Sequence, residues 1–307
     1  MLRVAFFGSS DPISCQALQL IGGNHRVVVA VRPRPRPKGS RMRRAARTVR
    51  RLFRMTGSSG IDSIAQDLGV PVVAVRARDD GGTIRVLGEF RPDIMCIAGY
   101  PWILPRTVYE VPRLGAINLH PSLLPRHRGR LPLFWIYYHD DRETGVTVHW
   151  VTENVDAGDI ILQDGFPLPR GFSVEALGDR IARRGATALR HALDAIESGT
   201  DRRVPQEDTL ATGAPMIEPG KMYADFAQWD VERVWHFLAG LVTRFQEPLF
   251  DDTGVAVSYN RVTGFRHVDH DRVPGSVQCL GSRIELFCRG GIVDLECTSS
   301  GRSRLGR

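Results

Sequence analysis

The 307-residue sequence lacks any apolar run that approaches the roughly 18 residues needed to cross a bilayer. It also lacks a signal-peptide pattern, because the short apolar run at its start stops at Gly8. We therefore expect a cytoplasmic protein. A chain of this length can form two domains with a sizeable core.

Cysteine is scarce and scattered. The five cysteines are odd in number, and none falls in a CxxC pair. This pattern favours reduced structural thiols over a disulfide framework or a metal site. We expect no metal.

Two nucleotide-binding motifs are missing. The turn after the first predicted strand, Gly8-Ser9-Ser10-Asp11, lacks the G-x-G-x-x-G pattern, and the chain contains no G-x-x-x-x-G-K-[ST]. A dinucleotide-dependent oxidoreductase and a P-loop enzyme are therefore disfavoured.

Acidic residues are absent between Arg32 and Arg54, a stretch that holds ten arginines and Lys38. These eleven cations exceed the net charge of +7, so the rest of the chain carries a net charge of −4. The basic segment is expected either to bind phosphates, with a steep salt dependence, or to be an insertion without a defined partner.

Apolar runs and helical periodicities alternate through the first two thirds of the chain, which predicts an α/β fold with a doubly wound, mostly parallel sheet. The predicted strands cover residues 2–7, 26–31, 71–75, 93–98, 115–119, 145–151 and 159–168. The first predicted helix is capped by Ser10 or Asp11 and has Pro12 in its first turn. Further helices are predicted over residues 61–68, 83–90, 107–111, 131–138 and 173–199, the last of them capped by Ser173.

The pattern changes after residue 199, which predicts a division into domains. Residues 200–219 are rich in Pro, Gly and Thr and suit a linker between a catalytic domain (residues 1–199) and a C-terminal domain (residues 220–297). The C-terminal domain combines a helix at 231–242 with short strands near 255–259, 276–280, 284–288 and 292–296, so we expect a β-rich unit that could close into a barrel. Residues 298–307 are expected to be a disordered tail.

Three polar residues stand out in an otherwise apolar strand-and-loop pattern. Asn118 and His120 are two residues apart at the carboxyl end of the fifth predicted strand, so both side chains point the same way. Asp156 follows a later strand. An amide can stabilise an oxyanion and an imidazole can move a proton, with a carboxylate to orient it. A turn-closing Asn118, a core histidine and an Asx turn at Asp156 or Asp159 remain the structural alternatives.

The motifs around these residues resemble a known family. From Asn118 the chain reads Asn-x-His-x-Ser-Leu-Leu-Pro, followed in order by Arg-x-Arg-Gly, Glu-Thr-Gly-Val-Thr and Asp-x-Gly-Asp. This order is similar to that of the folate-dependent formyltransferases, which have a Rossmann-like fold and transfer a formyl group from 10-formyltetrahydrofolate to an amine. The resemblance is strong between Pro92 and Gln163 and weaker in the C-terminal part.

The resemblance implies roles for the three polar residues. Asn118 would donate to the oxygen of the reacting formyl group. His120 would donate a proton to that oxygen or to the leaving nitrogen, and Asp156 would raise the pKa of His120 and so favour its protonated form.

The resemblance also implies a folate site formed by two loops, a turn and one arginine. Its residues are Trp102, Ile103, Leu104, Ser122, Leu123, Leu124, Pro125, Arg130, Thr152, Glu153, Asn154 and Val155. Core packing is the alternative for Trp102 and the leucines.

Two classes of acceptor amine compete. The C-terminal pattern and the position of the basic segment are similar to the methionyl-tRNA formyltransferases, which makes methionyl-tRNA the favoured acceptor and tRNA a partner. The stretch from Arg128 to Trp135 instead resembles the Arg-Gly-Arg-x-Pro-x-x-Trp pattern of sugar N-formyltransferases, which act on amino-sugar nucleotides. A hydrolase of formylfolate and a non-catalytic nucleic-acid-binding relative are more distant alternatives.

Overall fold

The computed structural model describes residues 1–34 and 60–297. Most of the basic segment and the predicted tail (residues 298–307) lie outside these described residues. Arg32, where the segment begins, lies near the end of a strand and pairs through its Nε with Asp62 Oδ1 at 2.6 Å.

The first two thirds of the chain alternate between strands and helices. The strands are β1 (Arg3–Gly8), β2 (Arg26–Pro33), β3 (Val72–Val75), β4 (Ile94–Ala98), β5 (Ala116–His120), β6 (Arg128–Gly129), β7 (Glu143–Trp150) and β8 (Ile160–Pro167). The helices are α1 (Pro12–Gly22), α2 (Ile61–Asp67), α3 (Asp80–Phe90), α4 (Arg106–Tyr109), α5 (Pro132–Tyr138) and α6 (Val174–Ser198).

Seven strands form the central sheet in the order β3-β2-β1-β4-β5-β7-β8. The first five of these run parallel, whereas β7 and β8 continue the sheet in antiparallel fashion. The predicted doubly wound, mostly parallel sheet is therefore confirmed. Parallel neighbours require crossover connections, which the helices supply.

The apolar strands face two cores because successive side chains point to opposite faces of the sheet. In β1, Val4 and Phe6 face one core, and Ala5 and Phe7 face the other. Burying a side chain of this size contributes roughly 1.5–3 kcal/mol. This two-sided burial explains why the strands read as continuous apolar runs instead of alternating ones.

The capping residues fix where the helices begin. The Asp11 carboxylate accepts from Ser14 N at 3.1 Å ahead of α1, and Ser173 Oγ accepts from Ala176 N at 3.2 Å ahead of α6. Each bond satisfies a backbone donor that the first helical turn would otherwise leave unpaired. Both caps agree with the sequence-based predictions. No helix in the described ranges is both long and apolar enough to span a bilayer.

The C-terminal part combines one helix with short strands. Helix α7 (Val231–Leu241) follows the two-residue strand β9 (Gly213–Ala214). The remaining strands are β10 (Leu249–Phe250), β11 (Ala256–Val257), β12 (Arg261–Arg266), β13 (Val277–Leu280), β14 (Arg283–Cys288) and β15 (Gly291–Glu296). The predicted β-rich character is confirmed.

The C-terminal strands form an open sheet in the order β12-β15-β14-β13, whereas a barrel-like unit was expected. Between residues 220 and 297, β12 and β13 do not pair with each other, and β10 pairs with β11 alone. The sequence pattern did not predict β12, because Gly264 lies in it at an irregularity of the register and interrupts the alternation.

An aromatic cluster joins the two parts of the chain. The Phe134 ring of α5 meets the rings of Tyr223, Phe237 and Phe245 edge-on, at centroid distances of 5.1, 5.7 and 5.0 Å. Edge-to-face pairs of this kind each add about 0.5–1.5 kcal/mol beyond their buried area. The C-terminal part therefore packs directly behind the helix that follows β6.

Candidate active site

The polar centre lies at the carboxyl end of β5, where ligands bind in sheets of this type. Asn118 and His120 belong to β5, and Asp156 lies in the loop between β7 and β8. The Asn118 amide donates to Asp156 Oδ1 at 3.3 Å, and His120 Nδ1 lies 3.5 Å from Asp156 Oδ2. The structure thus brings the three side chains together, and their catalytic roles remain predictions. Asp159 lies outside the centre, and its backbone carbonyl accepts from Trp150 N.

His149 is a fourth member of the centre that sequence reasoning missed. Its Nδ1–H donates to the carbonyl of Trp150 at 2.8 Å, so Nε2 is left to accept from the Asn118 amide at 3.1 Å. This contact requires the nitrogen of the Asn118 amide, and not its oxygen, to face His149. The signal lies in the antiparallel register, which sets His149 directly opposite Asn118. That register is not visible in the sequence.

Asp156 is held as a carboxylate despite its burial. Burial alone would raise its pKa, but the charge that His120 carries once it is protonated in acid, the contact with His149 and the Gly129 N–H at 2.9 Å together lower it to about 2. The residue also has φ = 52°, a left-handed conformation that costs a non-glycine residue about 1 kcal/mol or more. The surrounding structure must therefore hold this loop in place.

The pKa of His120 shifts in the direction opposite to the one expected from Asp156 alone. Asp156 does raise the pKa of His120, but burial of the ring has the larger effect and the net pKa is lowered. The prediction that Asp156 favours the protonated form of His120 has the right sign for that contact, but it is wrong for the net pKa, because the sequence does not show how deeply the ring is buried. Its Nε2–H donates to the carbonyl of His127 at 2.9 Å, which leaves Nδ1 as the basic nitrogen beside Asp156.

The loop whose carbonyl accepts the hydrogen bond from His120 is itself anchored by a buried pair. The His127 imidazole Nε2 lies 2.6 Å from Asp141 Oδ2, and the Arg126 guanidinium binds the other oxygen of Asp141. His127 has φ = 61°, so this anchoring also maintains an uncommon backbone conformation. Sequence reasoning assigned no role to this pair.

The two loops predicted to bind folate have an apolar base and exposed apolar tips. Trp102 and Leu104 pack into the core that also includes Val151. Ile103 and Val155 are instead 73% and 45% exposed. The backbone N–H groups of Ile103, Leu104 and Val155 have no acceptor among the described residues. Apolar faces beside free backbone donors suit a flat heterocycle with polar edges, such as the pterin ring of folate.

The turn after β5 uses its polar groups within the protein. Ser122 Oγ donates to the carbonyl of Arg126 at 2.8 Å, and the Leu124 N–H donates to Thr147 Oγ1 at 3.1 Å. Leu123 contacts the glycines of β7 and β8, and the Pro125 carbonyl accepts from Thr212 N. These four predicted folate residues therefore shape the wall of the site, and their roles toward folate remain predictions.

The remaining predicted folate residues are exposed and sparsely paired. Thr152 Oγ1 donates to the carbonyl of Asn154 at 3.2 Å, while Glu153 faces solvent. The Arg130 side chain is exposed and forms no ion pair with any described residue. The described ranges contain no group of three or more His, Cys, Asp or Glu residues that could hold a metal ion.

A crossing segment, residues 204–215, runs along the centre. It lies wholly within the predicted linker (residues 200–219), and its strand β9 pairs in parallel with β6. Arg128 N donates to Thr212 O at 2.8 Å, and Arg130 N donates to Ala214 O at 2.9 Å. The predicted linker thus forms part of the wall of the site.

Comparison with known proteins relates the chain to formyl transferases. The family model described as "Formyl transferase" matches residues 2–193. The methionyl-tRNA formyltransferase of Syntrophus aciditrophicus (strain SB) is 34% identical over 218 residues, which span 71% of this chain and 66% of that protein. The methionyl-tRNA formyltransferase of Geotalea uraniireducens (strain Rf4) is 30% identical over 310 residues, which span 99% of this chain and 92% of that protein.

A solved structure extends the similarity to the whole fold. The N-formyltransferase from Helicobacter canadensis, in complex with folinic acid and dTDP-3-aminofucose, aligns with a TM-score of 0.67. The alignment covers 96% of this chain and 99% of that protein, at 14% sequence identity. At this identity the similarity concerns the fold alone.

Proposed function

The chain belongs to the formyl transferase family, and from this premise we propose that it transfers a formyl group from 10-formyltetrahydrofolate to a primary amine. One observation carries the proposal: an amide, an imidazole and an ionised carboxylate, those of Asn118, His120 and Asp156, converge at the carboxyl end of β5. Acyl transfer needs a donor for the developing oxyanion and a group that moves a proton.

Asn118 is proposed to stabilise the negative oxygen that develops when the amine attacks the formyl carbon. Its amide carries two N–H groups, one directed at His149 and the other at Asp156. The bond to Asp156 is the longer, at 3.3 Å, so a substrate oxygen can replace it at the lower cost. His149 then keeps the amide correctly oriented.

His120 is proposed to take a proton from the attacking amine and to deliver it to the leaving nitrogen. Its lowered pKa keeps the ring neutral at neutral pH, so Nδ1 is ready to accept. The proton then lies beside the ionised Asp156, which stabilises the imidazolium. The roles of acid and base thus follow one another on the same nitrogen.

We propose methionyl-tRNA as the acceptor. Support comes from relatives that bear this activity in their names and align with up to 99% of this chain. The proposed division of labour is a catalytic domain in residues 1–199 and a C-terminal domain in residues 220–297 that contributes to tRNA binding.

An amino-sugar nucleotide is the second candidate acceptor. Arg130 favours it, because it directly follows Gly129 in the chain and its exposed side chain forms no ion pair with any described residue. A guanidinium of this kind matches the diphosphate of a sugar nucleotide. Trp135, which belongs to the same sugar-enzyme pattern, instead donates its Nε1–H to the carbonyl of Pro215.

The deciding experiment supplies 10-formyltetrahydrofolate with either charged initiator tRNA or a panel of amino-sugar nucleotides. Formylated methionyl-tRNA is the expected product. A formylated sugar nucleotide would establish the second candidate, and free formate with neither acceptor would indicate hydrolysis and contradict the proposal.

Replacement of Asn118 tests the chemistry itself. Asn118→Ala is expected to lower kcat by about 100-fold or more, because it removes the oxyanion donor. The matched control is Asn24→Ala, which removes an exposed amide at the end of α1 and should leave kcat unchanged. Near-full turnover in a folded Asn118→Ala protein would disprove the assignment.

A further inference from the structure

Gln206 lies at the point where the crossing segment meets the loop that carries Asp156. Its Nε2 group donates to the backbone carbonyl of Asp156 at 2.9 Å and to that of Gly158 at 2.8 Å. Its Oε1 accepts from Arg128 Nε at 3.0 Å and from Arg128 Nη2 at 2.8 Å. One side chain therefore binds both loops that border the centre.

The loop that Gln206 holds is one that needs external support. Asp156 adopts a left-handed conformation, and Gly158 approaches the sheet so closely that a Cβ there would lie 1.9 Å from the carbonyl oxygen of Trp150. Backbone in such conformations persists only where its surroundings determine it. The two hydrogen bonds from Gln206 are direct restraints on this loop.

The amide oxygen of Gln206 restrains the loop that contacts the Asp156 carboxylate. Arg128 immediately precedes Gly129, whose N–H donates to Asp156 Oδ2. Gln206 thus fixes the backbone of Asp156 on one side and the neighbour of its hydrogen-bond donor on the other. The distance between the Asp156 carboxylate and His120 depends on both.

We propose that Gln206 is a positioning residue that acts through Asp156 by holding the Asp156 loop against the Arg128-Gly129 strand. This inference rests on the proposed function, because it assigns Gln206 a part in formyl transfer. Gln206 comes from residues 200–219, so the positioning group is supplied by the segment that leads to the C-terminal part of the chain.

A double-mutant cycle tests whether Gln206 acts through Asp156. Gln206→Ala and Gln206→Glu should each lower kcat about tenfold or more, because displacement of a catalytic group by about 1 Å is enough for such losses. Gln206→Glu keeps the acceptor for Arg128 but loses both donors. In an Asp156→Asn background, Gln206→Ala should cost less than about twofold.

The matched control is Gln278→Ala, which removes a glutamine that also accepts from an arginine, Arg272, in the C-terminal sheet. It should leave kcat unchanged. Retained turnover in both Gln206 variants, or the same loss in the two backgrounds, would overturn the proposal.

Amide hydrogen exchange provides a readout that does not need an active enzyme. In Gln206→Ala, exchange at the Gly129 amide should accelerate about tenfold, because its acceptor Asp156 is no longer fixed. Exchange at the amides of Arg128 and Arg130 should stay unchanged, since their acceptors are Thr212 O and Ala214 O.

The exchange result separates failure of the positioning role from failure of the proposed function. If the wild-type protein transfers no formyl group, selective acceleration at Gly129 still supports the positioning role. Unchanged exchange at Gly129, or equal acceleration at all three amides, contradicts it.

Discussion

The reaction centre and the C-terminal part each contain a nearly buried carboxyl group, and the two groups behave in opposite ways. The pKa of Asp156 is lowered to about 2, whereas burial raises the pKa of Glu247 to about 7. Both accept backbone N–H groups: Asp156 from Gly129, and Glu247 from Tyr223 and Ala224. Burial and backbone donors therefore do not decide whether the pKa of a buried carboxyl group is raised or lowered.

The difference lies in the other partners. Asp156 has imidazole nitrogens of His120 and His149 within 3.5 Å, one on each oxygen. Glu247 Oε2 has no hydrogen-bond partner among the described residues. A site built for chemistry surrounds its carboxylate with groups that can carry positive charge, while a structural carboxyl can remain neutral.

The two carboxyl groups also have opposite effects on stability as pH changes. The contribution of Asp156 is present above its ordinary pKa of 3.8 and is lost as pH falls through about 2. The contribution of Glu247 is present below its ordinary pKa of 4.5 and is lost as pH rises through about 7.

Neutralising the carboxylate of the reaction centre should have the largest effect. Asp156→Asn is expected to lower kcat for formyl transfer by about 100-fold or more, because the imidazolium of His120 loses its counter-charge. The measurement is steady-state kinetics on protein whose fold is checked by its melting temperature. Asp159→Asn, which changes a carboxylate in the same loop but outside the centre, should keep wild-type turnover. Equal losses in the two variants would show that Asp156 has no special role.

Neutralising Glu247, the buried carboxyl group of the C-terminal part, should affect stability and leave catalysis intact. Glu247→Gln is expected to raise the free energy of unfolding at pH 8 by up to about 3 kcal/mol and to change it little at pH 4. Denaturant titrations at the two pH values measure this. Exposed Glu218→Gln should give no such pH-dependent gain. A gain that is equal at both pH values would mean that burial of charge is not the cause.

Disruption of the pairing between β6 and β9, beside the reaction centre, should have a smaller effect on kcat. A Cβ at Gly129, which has φ = 126°, would lie 2.8 Å from the Ala214 carbonyl oxygen, so Gly129→Ala should separate β6 from β9 and lower kcat about tenfold. Gly213→Ala, in the partner strand, meets nothing nearer than 3.8 Å and should be tolerated. Kinetics and melting temperatures of both variants test this, and equal behaviour would rule out the steric argument.

The sequence predicted the parts of the site that are local or carried by a motif. Asn118 and His120 share one strand with a period of two, and Asp156 follows at a fixed spacing, so their meeting was predictable. His149 required the register of an antiparallel pair. Gln206 lies in a polar stretch without periodicity, where no pattern indicates a contact with a loop about fifty residues earlier.

The fold was also predicted from local patterns, and the errors of that prediction have physical causes. Continuous apolar runs identified the buried parallel strands, and the caps at Asp11 and Ser173 identified two helix starts. Strand β12 was not predicted, because Gly264 interrupts the alternation of apolar and polar residues in it. The direction of the His120 pKa shift depends on burial, which only the assembled structure determines.

The pairing of β6 with β9 has a consequence for how the protein is made. A chain that has emerged from the ribosome only as far as α6 already contains Asn118, His120 and Asp156, and nearly all of the family match. It still lacks Gln206 and the strand that receives the N–H groups of Arg128 and Arg130. During synthesis, the reaction centre can therefore be completed only after residue 214 has left the ribosome and can pair with β6.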